Sequence, residues 1–379
     1  MAAGIAGCVS FKRRSHPSYA ASGFHGYRHS QPRRGRGVHL YRDEALKRLR
    51  RRTGVTPPWL EFLEGSLAEV EALLQSEVES RIRSITGLCQ HCVSAGGKRF
   101  RPALVVLGAL AADPDADVTR PIQLAAGVEL LHLATLMHDD VVDGADSRRG
   151  AASANALSGN KVSVLVGDYL FARSFGVMAR DGDDRIIKRM ATVTVALAEG
   201  EVLELVMRGS LGELESQYWH MIDLKTARLI SACTEVGGIC VDAPDDIIES
   251  LARYGERIGL VFQMTDDLLD LVGDRASVGK PVGADLLDGK VTLPYILALR
   301  EISPEVRESL LEKAFQRRLT PDDVHYLTQK ALELDVAEHC LALAEEQVEI
   351  ASKHLANLPA TPAKSVLEEI GPYLLERSS

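Results

Sequence analysis

From Pro57-Pro58 onward, apolar residues recur at the three- and four-residue spacing that gives a helix one apolar face. The first stripe runs through Leu60, Phe62, Leu63, Leu67, Val70, Leu73 and Leu74. Similar stripes follow one another and predict helices over 58–84, 99–112, 119–143, 158–179, 184–208, 212–236, 243–273, 288–300, 303–315, 321–331, 333–357 and 363–375. They are separated by helix-breaking clusters such as Asp113-Pro114-Asp115 and Asp181-Gly182-Asp183-Asp184. No stretch alternates apolar and polar residues as a half-buried strand would. The pattern predicts one large all-α domain over residues 54–379, a bundle in which each helix buries its stripe against its neighbours.

Residues 1–53 stand apart. They are rich in Ser, Gly, Arg and His, and show little periodicity. Residues 1–42 hold eight Lys and Arg and no Asp or Glu, whereas the rest of the chain holds 36 basic and 53 acidic residues. An Arg-rich, acid-free start reads either as an organellar targeting segment or as a disordered extension ahead of a cytoplasmic enzyme; 23–37 lack the apolar face a presequence usually has. The expected localisation is cytoplasmic, or mitochondrial or plastid if the segment is a transit peptide. The acidic body is unsuited to nucleic acid, where affinity rests on neutralising phosphates. No apolar run reaches the ~20 residues of a transmembrane helix. Six cysteines in 379 residues are too few for a disulfide framework. Cys89 and Cys92 have CxxC spacing without a second ligand pair or a βαβ context, and read as two thiols on a helix face.

Two helical segments end in carboxylates. The first runs from Leu131 through His132, Ala134, Thr135 and His138 into Asp139-Asp140-Val141-Val142-Asp143. Asp139 and Asp143 are four residues apart and share a helix face, where their charges repel. A hard divalent cation such as Mg2+ relieves that repulsion, taking carboxylates, waters and phosphate oxygens as ligands. The second segment, Gly259 to Thr265, ends in Asp266-Asp267-Leu268-Leu269-Asp270 with the same spacing. Two such clusters facing each other could hold metals between them, and a diphosphate is the natural ligand. Basic residues accompany both clusters: Lys98, Arg99 and Arg101 after the pair Gly96-Gly97, Arg148-Arg149 beyond the first cluster, Lys225-Thr226, and Lys280 and Lys290 in a glycine-containing stretch after the second. Glycines let backbone approach an anion, and Arg forks match phosphate oxygens.

These motifs, in this order from about Trp59 to Arg377, resemble the trans-isoprenyl diphosphate synthase (polyprenyl synthetase) family. The resemblance implies a bundle of about a dozen helices around a central cavity, a homodimer, Mg2+ as cofactor, and isopentenyl diphosphate and an allylic diphosphate as substrates. By the same resemblance, Asp139, Asp143 and Asp266 are expected to bind metal, with Asp140, Asp267 and Asp270 supporting them in catalysis. Lys98, Arg101, His132 and Arg149 match the isopentenyl diphosphate pocket. Arg148, Lys225, Thr226, Gln263 and Lys280 match the residues that grip the allylic diphosphate. The family reaction ionises the allylic diphosphate, adds the double bond of isopentenyl diphosphate to the cation and loses a proton. Gly200-Glu201-Val202-Leu203-Glu204 departs from the family's Gly-Glu-x-x-Gln by a Glu at its last position, and the basic C-terminal tail of some members is reduced here to Arg377 and two serines. Ala134 and Thr135, five and four residues before Asp139, lie where large aromatics close the cavity in short-chain members. Their small size predicts a product longer than geranylgeranyl, of the quinone side-chain kind, unless Phe171 or Phe175 closes the tunnel deeper down. The competing readings are a class I terpene cyclase, which would lack the Gly-Gly-Lys-Arg-x-Arg-Pro segment, and a regulatory subunit, which would lose its aspartates.

Overall fold

A computed structural model describes residues 56–148, 150–272 and 282–376. The extension 1–53, Arg149, Lys280 and Arg377 lie outside the described residues.

The described chain is helical almost throughout, as the apolar periodicity requires. Its longer helices are Glu64–Glu77, Arg83–Ser94, Phe100–Ala112, Thr119–Asp143, Asn160–Asp181, Asp184–Val206, Leu211–Ile222, Arg228–Cys240, Asp245–Val272, Leu293–Arg300, Pro304–Phe315, Pro321–Glu333, Val336–Leu355 and Pro362–Glu376. Several expected boundaries change. The 58–84 helix is broken at Leu63 and ends by Val78, and a separate helix, Arg83–Ser94, follows. The 212–236 helix contains a π-helical turn, Asp223–Ala227, and runs on to Cys240. The 288–300 helix begins at Leu293, behind a single turn at Ala284–Leu287. Among the described residues the strand structure is a two-residue hairpin pairing Ser147–Arg148 with Ala151–Ala152, with Gly150 at φ 77° in its turn.

The bundle is organised on the helices that carry the acidic motifs. Thr119–Asp143 packs along Asn160–Asp181, and Asp245–Val272 packs between Arg228–Cys240 and Val336–Leu355. Phe100–Ala112 crosses Arg228–Cys240 at two glycines: a Cβ on Gly108 would lie 2.6 Å from Thr234 O, and one on Gly237 2.4 Å from Val105 O. Alanine at either would force the two backbones apart. One apolar cluster joins the N-terminal helices to the first-motif helix, and a second runs from Met207 to Ala344 around the second-motif helix. The acidic motifs therefore sit on rigid, doubly packed supports.

Against the expected absence of membrane-length apolar runs, one described helix reaches that length. Helix Asn160–Asp181 is 22 residues long and, by length and composition alone, apolar enough to cross a bilayer, with 39% of its most apolar window buried. Its core face lies on the first-motif helix, while Leu165 is 67% exposed.

Candidate active site

Asp139 and Asp143 close helix Thr119–Asp143 because Gly144, at φ 63°, turns the chain into the left-handed region that ends helices. Asp140 faces away into the protein, 4% exposed, and accepts a hydrogen bond from Arg148 Nε at 2.6 Å. The hairpin missed in the sequence is what presents Arg148 to Asp140. Burial pushes the Asp139 carboxyl up to about 7; Glu201 and Asp143 add to the effect, while Lys225 and Arg148 oppose it.

Opposite them lies a cluster of lysines and glutamates. Lys225 Nζ sits 2.6 Å from Glu201 Oε2 and 2.7 Å from Glu204 Oε2. Gly200 permits this, since a Cβ there would lie 2.8 Å from Lys225 N. The π-helical turn carrying Lys225 is a wide turn of the kind that often marks functional sites. Burial works against the Lys225 charge, but Glu204 and Glu201 together hold its proton well above the ordinary lysine range. Lys290 reaches the same place, 3.3 Å from Asp143 Oδ2 and 3.4 Å from Glu204 Oε2.

The second motif ends helix Asp245–Val272. Asp267 is 3% exposed and held on both oxygens, by Tyr218 OH at 2.7 Å and Gln263 Nε2 at 2.8 Å. Gln263 in turn accepts from Thr226 Oγ1 at 2.8 Å. Thr226, Gln263, Asp267 and Tyr218 thus form one hydrogen-bonded chain. Burial pushes Asp267 up to about 7, with Asp285 and Glu204 adding to it and the Tyr218 and Gln263 hydrogen bonds pulling it down. Asp270 is also buried; its Oδ1 accepts from Asp285 N at 3.3 Å and its carbonyl from Gly283 N at 3.0 Å, which fastens the returning chain to the motif. Asp266 is the most exposed carboxylate of the three. Glu204 and Glu201 therefore act electrostatically on both motifs, Glu201 on Asp139 and Glu204 on Asp267.

Of Lys98, Arg101 and His132, the structure brings the last two into contact and pairs Lys98 with the last helix instead. Arg101 Nη1 donates to His132 Nε2 at 3.1 Å, and its guanidinium lies 6.0 Å from the Phe262 ring centroid on the second-motif helix. The buried Arg101 Nε has no hydrogen-bond partner among the described residues. Lys98 is exposed and donates to Tyr373 OH at 3.1 Å on the last helix. Arg99, in contrast, is a structural residue. It is 6% exposed and bound to Glu71, to Glu129 at 2.9 Å and to Val93 O at 2.8 Å. Its left-handed backbone, φ 44°, turns it away from its two cationic neighbours.

Ala134 is fully buried, and Thr135 donates its hydroxyl to His132 O at 2.8 Å, spending its polarity on its own helix. Phe175 is half-buried against the core, and the Phe171 ring lies tilted against His138, centroids 5.5 Å apart. A cleft of about 390 Å³ lies on another side of this helix, between Leu133, Met137, Asp140, Arg148 and His91. A second, of about 330 Å³, includes Glu204, Lys290 and Phe315. Neither reaches Ala134. Cys89 and Cys92 share the Arg83–Ser94 helix. Burial, with the neighbouring Cys92, pushes Cys89 up to about 12; burial and Asp140 push Cys92 to about 11 against the pull of Arg148. Both therefore hold their protons more firmly than a free thiol, which makes them poor nucleophiles. Among the described residues no three His, Cys, Asp or Glu side chains converge closely enough to hold a metal by themselves.

Nothing in the sequence pointed to Tyr218 or Tyr373; Glu201 and Glu204 stood out only as part of a motif departure, and Lys290 only as one of the cations accompanying the second motif. A buried tyrosine five residues before a π turn carries no sequence signal. The Gly-Glu-x-x-Glu segment did carry one, in two carboxylates at helical spacing behind a glycine.

An all-helical bundle with two aspartate-ended helices beside a lysine–glutamate cluster and an arginine–histidine pair defines a prenyltransferase of the isoprenoid type. The polyprenyl synthetase family model matches residues 82–331, and the chain belongs to that family, whose prenyltransferases need a divalent metal. It is 36% identical over 321 residues to octaprenyl diphosphate synthase of Escherichia coli, covering 84% of this chain and 97% of that one. It is 35% identical to the geranyl-diphosphate-specific all-trans-nonaprenyl-diphosphate synthase of Rhodobacter capsulatus, over 82% of this chain and 94% of that one. Among solved structures, the polyprenyl synthase of Caulobacter crescentus, complexed with calcium and isoprenyl diphosphate, superposes with a TM-score of 0.80 at 35% identity, covering 87% of this chain and 100% of that one. The chain is a trans-prenyltransferase of isoprenoid or quinone biosynthesis.

Proposed function

We propose that this chain condenses isopentenyl diphosphate with an allylic diphosphate, head to tail, to give a polyprenyl diphosphate longer than geranylgeranyl. The observation that carries the reading is the coupling of both acidic motifs to one lysine–glutamate cluster: Lys290 reaches Asp143, while Glu201 and Glu204 act on Asp139 and Asp267. Hard carboxylate oxygens crowded at Asp139 and Asp143 suit Mg2+, and too few of them converge to complete its coordination, so diphosphate oxygens and water would supply the rest. Asp139, Asp143 and Asp266 would hold the metal, which when bound neutralises the leaving diphosphate.

The chain's own residues do the remaining work in this proposal. Lys225 and Lys290 offer ammonium groups to the allylic diphosphate, joined by Arg148, while Thr226 and Gln263 brace Asp267 behind them. Lys98 and Arg101 take the diphosphate of isopentenyl diphosphate. Arg101 is aimed by His132, whose Nε2 is the acceptor of its hydrogen bond. The small side chains of Ala134 and Thr135, together with the octaprenyl, nonaprenyl and decaprenyl names of similar proteins, support the long product. Reverse-phase chromatography of the products made from labelled isopentenyl diphosphate tests it; farnesyl or geranylgeranyl diphosphate as the sole product would overturn the chain-length reading.

The proposal extends to a homodimer. Val195, Val202 and Val206 lie on one face of helix Asp184–Val206 and are 59%, 59% and 60% exposed, while Leu157 and Leu165 project from the neighbouring segment. A second copy would cover such a face; sedimentation of a monomer at micromolar concentration would contradict it. Residues 1–53 are proposed to be a basic extension ahead of the catalytic domain 54–379, in a cytoplasmic enzyme. Import of that segment fused to a reporter would instead support the mitochondrial or plastid alternative.

A further inference from the structure

Lys290 lies between two carboxylates that belong to different helices. Its Nζ is 3.3 Å from Asp143 Oδ2, at the end of the first motif, and 3.4 Å from Glu204 Oε2. The Asp143 contact is a hydrogen bond and the Glu204 contact an ion pair, but Glu204 is the more buried partner: its side chain is 12% exposed and that of Asp143 is 27%. An ammonium at 3.3 Å from Asp143 competes with any divalent cation for the same oxygen. A lysine displaced from Asp143 with no other acceptor would be left as an uncompensated, largely buried charge, which is costly. Glu204 removes that cost, because it already touches Lys290 and sits where the ammonium can remain. It can serve two lysines because Glu201 independently holds Lys225 at 2.6 Å. A glutamine here would present only a neutral oxygen to both ammonium groups.

We propose that Glu204 is a positioning residue that draws Lys290 off Asp143 and so frees that carboxylate for a divalent cation. The inference deepens the metal reading of Asp143 given above and rests on it. It assigns a role to the residue at which the Gly-Glu-x-x-Glu segment departs from the expected glutamine. The effect passes through Lys290, which separates it from a general influence of one more negative charge near the site.

The test is Mn2+ binding to the full chain without added pyrophosphate, so that the lysines' own hold on a diphosphate does not enter, read by electron paramagnetic resonance of free Mn2+ rather than by turnover. Four proteins are compared: wild type, Glu204→Gln, Lys290→Met and the double variant. Glu204→Gln is isosteric, and circular dichroism checks that each variant retains its helices. The expected result is Mn2+ binding weakened about 3- to 10-fold in Glu204→Gln, in the range of couplings between contacting charges. Lys290→Met is expected to bind at least as tightly as wild type, and adding Glu204→Gln to it should change little. An unchanged affinity in Glu204→Gln overturns the inference alone. So does an equal loss with and without Lys290, which would mean a field effect that bypasses the lysine. A wild type that binds no Mn2+, or an Asp143→Asn variant that binds as well as wild type, overturns the metal reading and the inference with it.

Discussion

Replacing Tyr218 by phenylalanine removes one hydroxyl from the interior and should do so at a cost that depends on pH. Tyr218 is fully buried, and its OH donates to Asp267 Oδ2 at 2.7 Å, with Gln263 the donor to the other oxygen. Asp267 is pushed up to about 7, chiefly by burial and also by Asp285 and Glu204, against the two hydrogen bonds. An acid whose folded value lies above its ordinary 3.8 binds more protons folded than unfolded between those limits. It therefore stabilises the fold at low pH, and that contribution is lost as pH rises through about 7. At pH 8 the carboxylate is charged, and a hydrogen bond to a charged group contributes about 1.5–3 kcal/mol. At pH 5.5 it is protonated, and a neutral hydrogen bond contributes about 1 kcal/mol. Tyr218→Phe should therefore destabilise the metal-free protein by ~2 kcal/mol at pH 8 and about half of that at pH 5.5. Urea denaturation at the two pH values, with unchanged m-values, measures both. A loss that is the same at both pH values would refute the assignment of a strained, charge-sensitive Asp267. So would a loss below ~0.5 kcal/mol at pH 8.

Three further outcomes follow from the same geometry. Asp139→Ala should leave the helical circular dichroism intact and reduce turnover about 10³-fold or more, since several kcal/mol of leaving-group stabilisation is lost at 1.36 kcal/mol per decade; a near-wild-type rate would contradict it. Arg101→Gln should raise KM for isopentenyl diphosphate about tenfold or more, because the guanidinium fork is replaced by a neutral amide, while KM for the allylic substrate changes little; steady-state kinetics with each substrate varied decides it. Ala134→Phe should shorten the product and, because Ala134 is fully buried, also cost about 1–3 kcal/mol of stability from overpacking; an unchanged product distribution in the folded variant would place the tunnel elsewhere.

What the sequence made legible was whatever repeats locally. The apolar stripes placed most helices, and the two Asp-Asp-x-x-Asp endings marked the helix ends proposed to carry the chemistry. Helix Arg83–Ser94 escaped because its buried residues, Leu88, Cys89 and Val93, make too thin a stripe among Arg, Ser, Gln and His. The π-helical turn escaped because no local pattern in 223–227 marks it, and the close approach of Lys225 to Gly200, more than twenty residues earlier, is tertiary. Arg99 is the reverse case, since it sits between two cations of the site yet is turned inward to Glu71 and Glu129. Chain direction at a left-handed residue decides that, and no residue count shows it. Thr226 and Gln263 were both expected at the allylic site; the structure adds that each is bonded to the other and, through Gln263, to Asp267.

The central claim is that one charged centre, built from both acidic motifs, performs a metal-dependent condensation. The most direct measurement is incorporation of radiolabelled isopentenyl diphosphate into organic-extractable product, with farnesyl or geranylgeranyl diphosphate as primer, with and without Mg2+. The account predicts incorporation that requires both the primer and the metal and is abolished by either Asp139→Ala or Asp266→Ala. Incorporation that survives chelation of the metal, or that persists in one of the two variants, would contradict it.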